Sequence, residues 1–184
     1  GFLTVTPDSD NILAWIQQLA QQRKNQDSLL AVNLQKDLER SFSLVYDFAD
    51  FIIIDTNSNG GINSLDLPDI PVLLDELLNL RLCYEQFTPI LLRLPVGLTP
   101  EEMQGILSYC MLSGINGIVA QRIGNVRKVL EITKGRIPVM GSSYTPEEAA
   151  LMLQEGASLV ELEVRPPVAL KLLKNLEKKA KKHD

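Results

Sequence analysis

Residues 90–121 read ILLRLPVGLTPEEMQGILSYCMLSGINGIVAQ, and the order of signals in this stretch decides the fold. A short apolar run (90–94, ILLRL) gives way to a helix start, Thr99-Pro100-Glu101-Glu102. Here Thr is placed to cap the helix, Pro stands at the first helical position, and two acidic residues sit on the positive end of the helix dipole. The helix runs out at Gly114, and a second apolar run, GIVAQ at 117–121, follows. This is one strand–helix–strand unit. The start signal recurs at Thr145-Pro146-Glu147-Glu148, and that helix runs out at Gly156. The second helix is about one turn shorter, so the chain repeats a supersecondary unit and is not a solenoid.

Working outward, further runs appear at 29–34 (LLAVNL), 51–55 (FIIID), 137–141 (IPVMG) and 158–163 (SLVELE), giving six candidate strands. They are apolar almost throughout rather than alternating, as expected for a parallel sheet covered on both faces. Another helix is predicted over 9–24, burying Ile12, Leu13, Ile16 and Leu19 at helical spacing, and another near 68–82. No G-x-G-x-x-G follows any strand, which argues against a doubly wound dinucleotide fold. The expected fold is therefore α/β: a parallel (β/α)-barrel of TIM-barrel type, incomplete, with about six βα units in a single domain over 1–184. A complete barrel has eight strands in about 250 residues. Two strands are thus expected to be absent, and self-association or an N-terminal segment must cover the exposed edges. Gly1 is not an initiator methionine, which leads us to expect a piece of a longer protein.

Composition narrows the function. With 184 residues, 45% of them hydrophobic, the chain can build a substantial core. A net charge of −5 disfavours nucleic acid, because binding phosphates needs a clustered basic surface. The one basic cluster, Lys171 to Lys182, reads as a solvated helix end. Cys83 and Cys110 each sit in an apolar helical pattern without metal-ligand neighbours, which points to no metal site and to a reducing, cytoplasmic setting. No apolar run reaches the roughly 18 to 20 residues of a membrane span.

In a parallel barrel, chemistry sits at the C-terminal ends of the strands. Those ends are polar here: Asn33, Asp55, Arg93, Gln121, Glu161 and Glu163. Alternation places Leu91 and Arg93 on one face of their strand, and a guanidinium in a buried strand needs a partner, for which Asp55 is the natural candidate. Two readings stand. Asn33, Asp55, Arg93 and Gln121 line a small-molecule pocket, or Asp55 and Arg93 form an ion pair that plugs the barrel mouth. The loop 56–66 (TNSNGGINSLD) would overhang this site, and Ser58 is its one plausible proton-transfer group. The single histidine, His183, is in the tail, so a serine triad is excluded.

From Gly1 to about Glu163 the chain resembles the later part of a class 2 dihydroorotate dehydrogenase. LLAVNLQKD is similar to that family's G-x-N-I-G-K-N segment, and FADFIIIDTNS to the strand leading into N-x-S-S-P-N. PILLRLPVGLTPEE is similar to V-K-I-A-P-D-L-T, and INGIVAQ to D-G-x-I-x-x-N. IPVMGSS with EGASLVELE resembles I-P-I-I-G-x-G-G-I with A-G-A-S-L-V-Q. The resemblance implies an FMN-dependent oxidoreductase that converts dihydroorotate to orotate in pyrimidine synthesis. It would make Ser58 the catalytic base and Asn33 a flavin contact. Arg93 would stand for the flavin-contacting lysine, Asp55, Gly60 and Gln121 for the substrate-binding asparagines, and Gly141, Ser142 and Ser143 for the phosphate loop.

The departures weigh against flavin. Arginine and lysine do not interchange where a point charge is needed. Asp55 would face the substrate carboxylate, and two carboxylates about 4 Å apart repel by roughly 4 kcal/mol at an effective dielectric of about 20. The loop Gly141-Ser142-Ser143-Tyr144 is about two residues shorter than the family's. Glu163 and Val164 stand where a phosphate-binding pair belongs, and Glu163 would oppose a phosphate dianion. Three functions follow as expectations: a working flavoenzyme, a catalytically silent scaffold or binding module with impaired flavin binding, or a barrel whose Arg93, Gln121 and Arg122 hold another small anion.

Overall fold

A computed structural model of the protein describes residues 2–6, 14, 16–18, 21, 29–57 and 69–162. Among these, seven strands form one sheet in sequential order: β1 Phe2–Val5, β2 Leu29–Leu34, β3 Phe51–Asp55, β4 Ile90–Arg93, β5 Gly117–Gln121, β6 Val139–Ser143 and β7 Leu159–Leu162. Every neighbouring pair is parallel. Helices alternate with the strands: α1 Leu38–Val45, α2 Asp69–Arg81, α3 Pro100–Ser113, α4 Ile123–Thr133 and α5 Pro146–Gln154. The result is a nearly closed, incomplete parallel (β/α) barrel. No described helix is long and apolar enough to cross a membrane.

Three sequence expectations are corrected. The strands number seven, not six, because Phe2-Leu3-Thr4-Val5 pairs with β2; four residues just ahead of Thr6-Pro7 are too short a run to stand out by pattern. The sixth strand spans 139–143, two residues later than 137–141. Proline lacks the N–H a ladder needs, so the strand begins after Pro138, whose carbonyl accepts from Ile118 N at 2.9 Å. Cys83 lies in the turn after α2 and is exposed, whereas Cys110 is buried in α3, and burial pushes its thiol up to about 12. Of the helix expected over 9–24, Ile16 is helical and fully buried, while Ile12, Leu13 and Leu19 lie outside the described residues. So do the lysine cluster, Ser58, Gly60, Glu163 and Val164.

Alternation along the strands divides the core in two. Leu30, Val32, Leu34, Ile52, Ile54, Ile90, Leu92, Ile118, Ala120 and Val139 face outward into the layer beneath the helices. Ala31, Phe51, Ile53, Leu91, Val119 and Met140 form a separate inner cluster, the packed lumen. Parallel register keeps paired residues on one side, so Ile53 sits beside Leu91, and Val119 beside Met140.

The helix starts behave as their sequence predicts. Thr99 and Glu102 make a reciprocal capping box, with Thr99 N donating to Glu102 Oε2 at 2.7 Å and Glu102 N donating to Thr99 Oγ1 at 3.3 Å. These bonds hold the Glu102 carboxyl below its ordinary value of 4.5, the backbone bond from Thr99 first. At α5 the arrangement differs. Thr145 Oγ1 accepts from Glu148 N at 3.2 Å, but Ser143 stands between the two residues, accepting from Thr145 N at 3.1 Å and donating to Glu148 Oε2 at 2.8 Å. Gly114 ends α3 at φ 93°, a left-handed conformation that favours glycine.

Gly141 brings α5 against the sheet. A Cβ there would lie 2.6 Å from Met152 Sδ, 3.1 Å from Met152 Cβ and 3.0 Å from Val160 Cγ1, and Met152 is fully buried. Gly141→Ala is therefore expected to lower stability by about 1–3 kcal/mol in urea denaturation, and an unchanged midpoint would contradict this packing. Thr99→Ala should lower it by about 1 kcal/mol. Because the Glu102 pKa is depressed in the folded chain, its contribution is present above the ordinary value of 4.5 and is lost as pH falls through the lower folded value. The difference between wild type and Glu102→Ala should accordingly shrink in acid, measured as denaturation midpoints against pH.

Candidate functional site

The last inward-facing position of every strand from β2 to β7 is polar: Asn33, Asp55, Arg93, Gln121, Ser142 and Glu161. Register places Asp55 beside Arg93, Gln121 beside Ser142, and Ser142 beside Glu161. Just below them the lumen is apolar, formed by Ile53, Leu91, Val119 and Met140. The strands thus lift a polar ring onto a greasy floor at the end of the barrel where their C-termini emerge.

Arg93 is the centre of that ring and is only 3% exposed. Its Nη2 donates to Glu161 Oε2 at 2.7 Å and its Nη1 to Ser142 Oγ at 3.1 Å. Nε lies 3.2 Å from Asp55 Oδ2, but the N–H is not aligned on that oxygen, so this contact is ionic rather than a directed hydrogen bond. Asp55 is well supplied with donors. Oδ2 accepts from Asn33 Nδ2 at 3.2 Å and Gln35 Nε2 at 3.1 Å, and Oδ1 accepts from Asn57 N at 2.9 Å. Asn57 in turn ties the start of the overhanging loop to β4, donating through Nδ2 to Leu94 O at 2.9 Å and accepting from Val96 N at 2.7 Å. Asn33 Nδ2 also donates to Thr6 Oγ1 at 3.2 Å, while Asn33 Oδ1 is buried without a donor.

The pair expected between Asp55 and Arg93 is therefore present, and a second carboxylate, Glu161, makes the tighter contact. Gln121 is half-buried at the rim, and Arg122, at φ 65°, is exposed. Gly141, Ser142 and Ser143 are the closing residues of β6, not a loop, and all three are buried. Ser142 is directed inward to Arg93, and Ser143 outward to the start of α5. Ser58 lies outside the described residues. Sequence reasoning missed Ser142 as a lumen residue and the Arg93–Glu161 pair. The signal for Ser142 was Pro138, which moves the strand two residues on; the alternation of faces is unchanged, and Ser142 enters the strand on the inward side with Met140. Among the described residues no group of three His, Cys, Asp or Glu side chains could hold a metal ion. A cleft of about 200 Å³ between α3 and α4, lined by Met103, Lys128, Glu131 and Ile132 among others, belongs to the helix layer and includes no residue of the ring.

A parallel barrel with a polar centre at its strand ends is an architecture shared by many enzymes, and comparison with known proteins narrows it. A curated dihydroorotate dehydrogenase (quinone) from Dichelobacter nodosus is 25% identical over 162 residues, covering 78% of this chain and 45% of that protein. No family model matches. The crystal structure of the Eimeria tenella dihydroorotate dehydrogenase in complex with ferulenol superposes with a TM-score of 0.67 at 17% identity, over 80% of this chain and 56% of that one. A truncated 3-deoxy-D-arabino-heptulosonate 7-phosphate synthase from Thermotoga maritima gives 0.65 at 18%, over 98% and 75%. The chain is a parallel (β/α) barrel similar to dihydroorotate dehydrogenase, and it spans less than half the length of the curated relative it matches.

Removing Arg93 would leave two carboxylates buried without their cation. Arg93→Met is expected to destabilise the fold by about 3–5 kcal/mol, whereas Asp55→Asn/Arg93→Met/Glu161→Gln should recover most of that loss. Equilibrium urea unfolding of the two variants checks this; equal losses would mean that the ion pairs do not govern the centre.

Proposed function

We propose that this chain is a dihydroorotate-dehydrogenase-like barrel whose flavin binding is impaired, and that it serves as a non-catalytic scaffold or binding module. The observation that carries this reading is the engagement of Arg93. Where the family resemblance would have a lysine free to meet flavin, the cation is held in the lumen by Glu161, Asp55 and Ser142. Turning it toward a cofactor would strand two buried carboxylates, which is costly.

The proposed phosphate residues support the same reading. Ser142 and Ser143 are strand residues, and the Ser143 hydroxyl is engaged by Glu148 and Thr145. A phosphate dianion placed at Ser142 would meet the Glu161 carboxylate on the neighbouring strand. The residues described therefore do not fit the FMN phosphate. The same negative charge disfavours the reading in which Arg93, Gln121 and Arg122 capture a small anion. In a scaffold, the seam between β1 and β7 would be covered by self-association or by an N-terminal segment, in a cytoplasmic setting.

The test is the visible absorbance spectrum of the purified protein, followed by FMN titration. We expect colourless protein and no saturation below roughly 100 μM FMN, weaker than about −5.5 kcal/mol. Yellow protein, or saturable binding at low micromolar FMN, would overturn the proposal.

A further inference from the structure

Three helices of this barrel repeat one set of positions, counted from the residue at each N-cap: Thr99 for α3, Arg122 for α4 and Thr145 for α5. The fourth, seventh, eighth and eleventh residues beyond the cap make the inward stripe. In α3 they are Met103, Ile106, Leu107 and Cys110, all buried. In α4 they are Val126, Val129, Leu130 and Thr133, with Leu130 half-buried and the others buried. In α5 they are Ala149, Met152, Leu153 and Gly156, and the first two are buried.

Two positions also report on neighbouring helices. The tenth faces the helix before: Tyr109 donates to Pro71 O on α2 at 3.1 Å, Ile132 shares a cleft with Met103 of α3, and Glu155 pairs with Arg127 of α4. The eighth faces the unit after, because a Cβ at Gly156, where α5 ends, would lie 3.2 Å from Leu130 Cδ1. Leucine holds the eighth position in all three helices, yet Leu107 is 0% exposed and Leu153 is 49% exposed. The uncovered side of Leu153 is therefore the side on which a helix following β7 belongs.

The chain that leaves β7 carries the stripe in the same frame, although residues 163–184 lie outside the described ones. Counted from Arg165, with Pro166 next as Pro100 and Pro146 follow their caps, the four positions are Ala169, Leu172, Leu173 and Leu176. Counting from Val164 instead puts Lys171 and Asn175 in the stripe, and counting from Pro166 puts Lys174 and Glu177 there. Only one frame is apolar throughout. In it Lys171 and Lys174 take the sixth and ninth positions, where α4 exposes Lys128 and Glu131.

We propose that residues 166–180 dock as a further helix on the flank of α5, with Leu176 against Leu153. That contact repeats the one in which the eleventh position of α5 meets the eighth of α4. The inference is independent of the flavin reading, and it concerns the helix layer outside β7 rather than the strand edges of the β1–β7 seam.

The experiment uses the full chain in a Cys83→Ser background, since Cys83 is exposed and Cys110 buried. One new cysteine, Leu176→Cys or Lys174→Cys, is labelled with a maleimide under native conditions. Leu176→Cys should react at least about tenfold more slowly than Lys174→Cys. Adding Leu153→Asp should abolish that protection, whereas Leu151→Asp, at a residue 48% exposed on the solvent side of α5, should leave it. Equal rates for the two cysteines, protection that survives Leu153→Asp, or protection that vanishes on dilution and so belongs to a second copy would each overturn the proposal. A disulfide readout stands beside these variants should Leu153→Asp not fold. Leu153→Cys/Leu176→Cys should cross-link within one chain under mild oxidation and Leu151→Cys/Leu176→Cys should not; the reverse, or no cross-link in either, would also overturn it.

Discussion

A guanidinium inside a barrel wall must be neutralised where it stands, and that requirement organises the centre of this protein. Arg93 extends from β4 into the lumen, where water cannot screen it. It is held by Asp55 on the adjacent strand and by Glu161 on β7, with Ser142 taking another of its N–H groups. Four strands, β3, β4, β6 and β7, are thereby linked through side chains as well as through the main-chain ladder. Asn57 is tied to this centre too, because its N–H is bound to the same Asp55 that faces Arg93.

The wall beneath this centre is ordinary barrel packing. Inward rows of Ile53, Leu91, Val119 and Met140 fill the lumen, and the outward rows meet the helices. The similarity to the solved structures of a dihydroorotate dehydrogenase and a heptulosonate-phosphate synthase is one of architecture, at 17% and 18% identity. The polar ring stands on top of this wall, on the last inward-facing row of the strands. Fold and chemistry occupy different rows of the same strands, so one persists while the other changes.

Much of the wall could be read from sequence because its signals are local. The apolar runs at 51–55 and 117–121 coincide with β3 and β5, and Thr99 and Thr145 cap the helices they were expected to cap. The failures arose where a signal was short or where spacing carried the information. FLTV is too brief a run to stand out, and β6 begins two residues after its apolar run because Ile137 looks like a strand residue while Pro138 cannot donate to the ladder. That small slip turned Ser142 from a lumen residue into a loop residue. The Arg93–Glu161 pair joins positions 68 apart in the chain, and no local pattern encodes a contact across a lumen; only closure of the sheet creates it.

The three-way charge arrangement also limits how the sequence can drift. Losing Arg93 first would leave two buried anions, and losing either carboxylate alone changes the balance for the other two groups. Neutral paths must therefore replace the acids before the base, or all three together. The cost of changing any one of the three groups thus depends on which of the others is still charged, whatever ligand the barrel mouth takes.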